Sequence, residues 1–310
     1  MLPVISVCVQ TFNHKRYISK CIEGILSQET KFLFEIIIGE DESSDGTREI
    51  CMDYAKQYPD RIRLFKRKRE NVQYINGKPS GRYNLQQNLK ECNGKYIALC
   101  EGDDYWTDSN KLQKQFDLLE TNLDAVLCGS NALVTYEGET ESHLFNVFPR
   151  PSIKEITYLS TEDFITEEIP LHTSTIIFRN HILKWPSYHT QCNSGDLVLM
   201  TTLSLSGKVV VLPDVTAVYH RNAKSITNAM AGVADSWSYI ALFKGVDNQT
   251  NGAYQNKIRH LLSKYYFQHA RSNWAINNKM DSITSVLNSI WNSPIKFSRL
   301  VGQFVSQKIR

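Results

Sequence analysis

Several features are missing from this sequence, and each omission removes a class of protein. No run approaches the roughly 18 consecutive apolar residues that a membrane-spanning helix needs, so no span is expected. The opening MLPVISVCVQTF has no basic stretch ahead of its apolar residues, which argues against a secretory signal and for a cytoplasmic protein. There is no Cys-x-x-Cys pair, and the seven cysteines are scattered, several inside apolar runs such as ISVCV and YIALC. Such a set reads as reduced core residues and not as a zinc site or a disulfide framework. Charge of one sign is scarce too: 35 Lys and Arg against 32 Asp and Glu leave a formal +3, too little to imply a nucleic-acid partner. No Gly-x-Gly-x-x-Gly follows the first apolar run, and Gly-x-x-x-x-Gly-Lys-Ser/Thr does not occur. That sets aside dinucleotide-dependent dehydrogenases and P-loop kinases. A Gly-rich triphosphate loop, expected of an enzyme that makes activated sugars, is also lacking near the N-terminus. No internal repeat or low-complexity tract is found. Asn248-Gln249-Thr250 spells a glycosylation sequon, a chance match in a chain read as cytoplasmic.

What the chain does have is a large apolar share. Of its 310 residues, 42% are hydrophobic and 11% aromatic, enough for a substantial core. The first 130 residues alternate short apolar runs with amphipathic stretches. Strands are expected at 4–9, 35–39, 62–65, 96–100 and 125–128, and helices at 16–28, 45–58, 83–91 and 111–119. Asp45 or Ser44 is the expected N-cap of the second helix. This alternation implies βαβ units and a mostly parallel α/β sheet flanked by helices. Residues 132–160 read as a loop or hairpin. Strands are expected at 173–178, 208–212 and 216–219, and a helix at 196–205. From about 229 the pattern is helical to the end. The expected organisation is therefore a domain over 1–228, with halves 1–130 and 131–228, and a helical extension over 229–310.

Sheets of this kind bind ligands beyond the carboxyl ends of their strands, where three polar clusters lie. Glu101-Gly102-Asp103-Asp104-Tyr105-Trp106 follows the fourth strand. Three carboxylates around one glycine call for a counter-charge, and Mg²⁺ or Mn²⁺ takes such hard oxygen ligands. The bland alternative is a polar turn capping the next helix. Glu40-Asp41-Glu42-Ser43-Ser44-Asp45-Gly46-Thr47 follows the second strand, where Asp41 stands before the cap, free to accept from a base N–H or a ribose hydroxyl. Thr11-Phe12-Asn13 ends the first strand and offers backbone groups and an aromatic face for a base.

These clusters, in this order, resemble the nucleotide-binding half of glycosyltransferase family 2, which has the GT-A fold. The resemblance rests on SVCVQTFNHKRYISKCIEGILSQ, EDESSDGT and EGDDYW followed by TDSNKLQKQ. It covers about residues 3–125 closely and 170–227 more loosely. It implies an inverting transferase acting on a nucleotide-sugar, with a divalent metal. Asp41 then matches the uracil-contacting aspartate, Thr11, Phe12 and Asn13 the nucleotide-binding loop, and Asp103 and Asp104 the ribose and metal contacts. Glu101 replaces the usual leading aspartate of the metal element, and Trp106 closes the same segment. Asn193-Ser194-Gly195-Asp196 resembles the catalytic-base element and places the base at Asp196; the alternative is a helix N-cap. His172, in LHTST, matches the segment beneath the acceptor pocket, or is a satisfied core histidine. His220 and Arg221 stand where the family writes Tyr-Arg-x-His, a shifted candidate pair for the diphosphate. The resemblance implies a glycan or lipid-linked saccharide as acceptor. The non-catalytic rival is a degenerate GT-A module that binds nucleotide-sugar or glycan without turnover.

Two basic features stand apart. Residues 61–69 read as a solvated strand end, with a diphosphate or membrane contact as the alternative. The tail IKFSRLVGQFVSQKIR carries an apolar stripe and four cations. It is expected to pack on the protein, with a second subunit or the inner face of a membrane as alternatives.

Overall fold

The computed structural model describes residues 2–138, 141–145, 155–167, 169–221 and 233–309. In chain order the elements up to the acidic turn are β1 (Ile5–Thr11), α1 (Ile18–Leu26), β2 (Phe34–Glu40), α2 (Thr47–Gln57), β3 (Ile62–Lys66), the hairpin β4 (Gln73–Ile75) and β5 (Lys78–Ser80), α3 (Arg82–Glu91) and β6 (Tyr96–Glu101). Next come β7 (Tyr105–Trp106), α4 (Lys111–Thr121), β8 (Ala125–Tyr136), β9 (Ser142–Leu144), β10 (Thr157–Leu159), α5 (Thr161–Phe164), β11 (Ile177–Arg179), α6 (Gly195–Ser204) and β12 (Lys208–Arg221). Helices α7 (Val233–Gln249), α8 (Gln255–Ala275), α9 (Lys279–Asn292) and α10 (Pro294–Ile309) complete the chain.

The residues form two compact units: 1–164, 168–184 and 200–224 in the first, and 165–167, 185–199 and 225–310 in the second. The first holds a sheet of order β10-β12-β8-β11-β6-β1-β2-β3. Strands β3, β2, β1 and β6 are parallel, and β12 runs parallel to β8. Between these groups β11 lies antiparallel to both β6 and β8. The mixed α/β sheet flanked by helices is the expected architecture. Its first strands form for the reason the sequence suggests: Ile5, Val7 and Val9 of β1 and Ile36, Ile37 and Ile38 of β2 are fully buried, as strands covered on both faces must be. Helix α1 closes one face with Ile18, Cys21, Ile22 and Ile25, also fully buried and at helical spacing.

The later strands depart from expectation. The segment 125–128 extends into the twelve-residue β8, and 208–219 is one fourteen-residue strand with register shifts between Val211 and Ala217. Those irregularities carry the chain past Pro213 and Asp214 without breaking the strand. Residues 173–178 divide into a 3₁₀ turn, Thr173–Thr175, and β11. The helical run expected from about 229 begins at Val233, and residues 222–232 lie outside those described. All seven cysteines are buried and none forms a disulfide, as expected of reduced core residues.

In the second unit α7, α8, α9 and α10 pack with the segment around Tyr188. Tyr239 stacks on Tyr265 at 4.3 Å. Phe297 and Phe304 of α10 meet the Phe267 ring edge-on at 5.8 and 6.4 Å, so the tail turns aromatic residues inward, as expected of a packed segment.

Candidate active site

Strand order reverses at β1, which has β2 on one side and β6 on the other. Register sets the three strand ends level: Thr11 pairs with Glu40 and Gln10 with Glu101. The three polar clusters therefore leave the sheet side by side, at the place where such sheets bind ligands.

The acidic turn after β6 is pressed against the end of β1. A Cβ on Gly102 would come within 2.6 Å of Thr11 Oγ1 and 2.9 Å of His14 Nδ1, so only glycine fits. Beyond the turn β7 pairs with β12, Tyr105 opposite Val218 and Trp106 opposite Ala217, which brings His220 to the turn. Its backbone N–H donates to Asp104 Oδ1 at 3.0 Å. One ligand oxygen from each of Glu101, Asp103 and Asp104 falls within 4.8 Å of the others. Gln10 Nε2 donates to Glu101 Oε1 at 3.1 Å, and His14 Nε2 lies 3.7 Å from Asp103 Oδ2.

Asp104 is 1% exposed. Burial, with the charges of Asp103 and Glu101 beside it, drives its carboxyl well above the usual carboxylate range. His172 Nδ1 stands 3.7 Å from Asp104 Oδ2, but burial pulls that imidazole down to about 3, so it is neutral and offers no counter-charge. Four buried polar atoms here have no hydrogen-bond partner among the described residues: Thr11 Oγ1, His14 Nδ1, Asp104 Oδ2 and His220 Nε2. Such atoms are rare in folded proteins and call for a ligand or ion. With three carboxylates as donors, the residues fit a hard divalent cation.

The second cluster is built around Asp41. Its backbone N–H donates to Thr11 O at 3.0 Å, which locks the β2 and β1 ends together. Its carboxylate accepts from Arg69 Nη1 at 2.7 Å, and that guanidinium lies over the Phe12 ring at 4.0 Å. Burial raises the Asp41 pKa, and Arg69 works against the rise. Asn13, at φ 56°, accepts from Ser44 N at 3.0 Å through its side chain, so it ties the first loop to the second. Gly46, and not Asp45 or Ser44, occupies the N-cap position of α2. Asp45 instead accepts from the Thr47 hydroxyl at 2.6 Å and from Lys15 N and Thr47 N, each at 3.0 Å; burial alone would raise its pKa, but these bonds, the hydroxyl first, lower it.

The remaining candidates divide. Trp106 is buried, donating Nε1–H to Ser174 O at 2.7 Å; Lys111, itself fully buried, places its ammonium 4.3 Å from the Trp106 ring centroid. His172 stacks on Tyr219 at 4.1 Å and Ser174 Oγ sits 2.7 Å from its Nδ1, so it is both a packed histidine and a neighbour of Asp104. The His220 ring packs on Tyr17 at 4.7 Å with Nδ1 3.1 Å from Thr135 Oγ1. Arg221 reaches the Tyr136 hydroxyl at 3.4 Å. Asp196 lies in the second unit, in the first turn of α6. Ser194 Oγ accepts from Leu197 N at 3.2 Å, so Ser194 makes a cap bond at the start of this helix. Sequence reading missed His14, and it placed Arg69 only in a basic run read as a solvated strand end or as a diphosphate or membrane contact. A single histidine after a strand and one arginine in a basic run carry no spacing signal; only the fold sets them beside Asp103 and Asp41.

Three polar loops thus open at one switch point of the sheet, with the carboxylate trio on the loop after β6, an arrangement of the α/β ligand-binding class. Residues 6–182 match the profile of Glycosyl transferase family 2, and the chain belongs to that family. An uncharacterized protein of Mycobacterium tuberculosis is 30% identical over 224 residues, covering 71% of this chain and 60% of that protein. The chain thus spans less than two thirds of the length of that relative. The GalNAc(5)-diNAcBac-PP-undecaprenol beta-1,3-glucosyltransferase of Campylobacter jejuni is 29% identical over 167 residues, 53% of this chain and 48% of that protein. Among solved structures, S. aureus TarS 1-349 in complex with UDP superposes with a TM-score of 0.64 at 15% identity, over 97% of this chain and 83% of that one. That likeness shows the fold, GT-A as the sequence led one to expect.

Proposed function

We propose that this chain transfers a sugar from a UDP-sugar to a hydroxyl of a glycan or lipid-linked saccharide, inverting the anomeric centre. The observation that carries the reading is the meeting of Glu101, Asp103 and Asp104 within 4.8 Å at the switch point of the sheet. Asp103 and Asp104 would hold a divalent cation, Mg²⁺ or Mn²⁺, with Glu101 steadied beside them by Gln10. A cation bound there supplies Lewis-acid neutralisation of the departing diphosphate. The protein's own groups bind and orient. Asp41 presents an acceptor to the uracil N3–H, and Thr11 and Phe12 line the base, with Asn13 fixing their loop. His172 and His220 stand beside Asp104, and Arg221, next in the chain, is the candidate contact for the diphosphate. Asp196 takes the proton of the attacking hydroxyl; this assignment rests on the resemblance of Asn193-Ser194-Gly195-Asp196 to the family's base element. The uridine choice is supported by a fold relative crystallised with UDP, and the acceptor class by a family member named for a polyprenol-linked glycan.

The test is a panel of nucleotide-sugars scored for thermal stabilisation and for sugar release, each with Mn²⁺ and with EDTA. The reading expects one UDP-sugar to stabilise the protein and to be turned over only with metal. Stabilisation without any turnover, with acceptor glycans supplied, would leave the binding module; no response to any nucleotide-sugar would sink the reading.

A further inference from the structure

Helix α9 is built with its small polar face inward. Ser282, Ser285 and Ser289 are buried against α8. Ser289 Oγ donates to Ser263 O at 2.6 Å and Ser282 Oγ to Ala270 O at 2.8 Å, while Ser285 Oγ meets His269 Nδ1 at 2.8 Å. Serine is short enough to let two helix backbones approach, and its hydroxyl is satisfied there. The apolar residues of α9 are left outside. Met280, Ile283, Leu287 and Trp291 recur at one-turn spacing and are 76, 51, 62 and 83% exposed. Trp274 at the end of α8 and Ile295 at the start of α10 are also exposed, at 62 and 68%. Single exposed apolar residues are ordinary, but a continuous ridge marks a surface that meets something.

Charge indicates what it meets. After Asp281 the chain carries Lys296, Arg299, Lys308 and Arg310 and no acidic residue. A cleft of about 430 Å³ opens beside Trp291, and its lining includes Lys244 and Arg259 against one carboxylate, Asp247. A second copy meeting this face by two-fold symmetry would set like charges together, with little acid to receive them. A phosphate-bearing surface would not. No described helix is long and apolar enough to cross a membrane, so the contact lies along the surface. We propose that the second unit docks on an anionic phospholipid surface through the α9 ridge. Trp274 and Trp291 sit at headgroup level, and Lys244, Arg259, Lys296 and Arg299 face the phosphodiesters.

The test is co-sedimentation of the full chain with vesicles of phosphatidylcholine alone, or of phosphatidylcholine mixed with an equal part of phosphatidylglycerol. The anionic vesicles should bind at least about tenfold more protein, and added salt should weaken that binding. Leu287→Glu with Trp291→Glu should reduce it about tenfold or more, with the circular dichroism spectrum unchanged. Should that double variant misfold, Lys296→Glu with Arg299→Glu keeps the ridge intact and should lose the salt-sensitive part of the binding. Equal or negligible binding to both vesicle types would overturn the proposal. So would a concentration-dependent dimer that Leu287→Glu disperses in a chain that ignores lipid.

Discussion

Arg69 binds Asp41 at 2.7 Å while its guanidinium covers the Phe12 ring at 4.0 Å. One side chain thereby holds both the acceptor and the aromatic face assigned to the base. A base that stacks on Phe12 has to move Arg69 from that face, and the Asp41 carboxylate has to serve the base and the guanidinium together. Asp41→Ala should therefore weaken UDP binding by about tenfold or more, the worth of a charged hydrogen bond, and leave pyrophosphate binding in Mn²⁺ unchanged. Calorimetry with both ligands reads the difference. Equal losses would remove Asp41 from base recognition, and a preference for GDP over UDP would count against the uridine assignment.

Asp104→Asn keeps the acceptor that His220 N–H uses and removes a charge that burial disfavours. In EDTA the variant should melt at or above the wild-type temperature, with transfer abolished and the gain in UDP affinity from Mn²⁺ lost. Thermal melts and calorimetry check both arms. A large fall in melting temperature without metal would make this turn structural.

The α6 cap separates two roles that the sequence left joined. Ser194→Ala should cost about 1 kcal/mol of stability with modest loss of activity. Asp196→Asn should leave stability unchanged and cut transfer roughly 10²-fold or more, with UDP affinity within a few-fold. Steady-state rates beside denaturant melts distinguish them. Near wild-type transfer by Asp196→Asn, or retention of configuration in the product, would remove Asp196 as the base.

Lys111 gives the fold a pH dependence of known sign. Burial pulls its ammonium from 10.5 down to about 7, so between those values the unfolded chain binds more protons and stability rises with pH. The burden is full below the folded value and fades as pH approaches the unfolded one. Lys111→Met should raise the melting temperature more at about pH 6 than at about pH 9. An equal effect at both would mean that the lysine is not held against its charge.

How far the sequence was legible varies with what each segment asks of its neighbours. β1, β2 and β6 were readable because each is a short run buried on both faces, and their polar ends follow directly in the chain. β8 and β12 were read too short because Asn131 and Thr135 interrupt one apolar run and Pro213-Asp214 the other. Pairing between the two strands, a tertiary fact, carries them through. Asp104 was legible as a carboxylate near a metal, but its bond from His220 N–H depends on β7 reaching β12. The tail's apolar stripe was seen; Phe304 of that stripe meets Phe267, while Ile295 and Val305 stay exposed. The ridge on α9 was not seen, because serines on a helix ordinarily face water, and only the close approach of α8 turns them inward.

The three-residue β11 has a consequence for how the chain reaches its fold. Strands β1, β2 and β3 pair with their neighbours in the chain, so their pairing closes short loops. β6 must wait to reach β1, where Tyr96 pairs with Ile5, and β8 to reach β12, whose Lys208 pairs with Ala125; both pairings close long stretches of chain. Low contact order favours the first group early and the other two pairings late. β11, with partners at Ala98 on one side and Cys128 on the other, joins the two late pairings into one sheet. The acidic turn is therefore completed late from both sides: β6 carries it to the end of β1, and the backbone N–H that orients Asp104 arrives with β12.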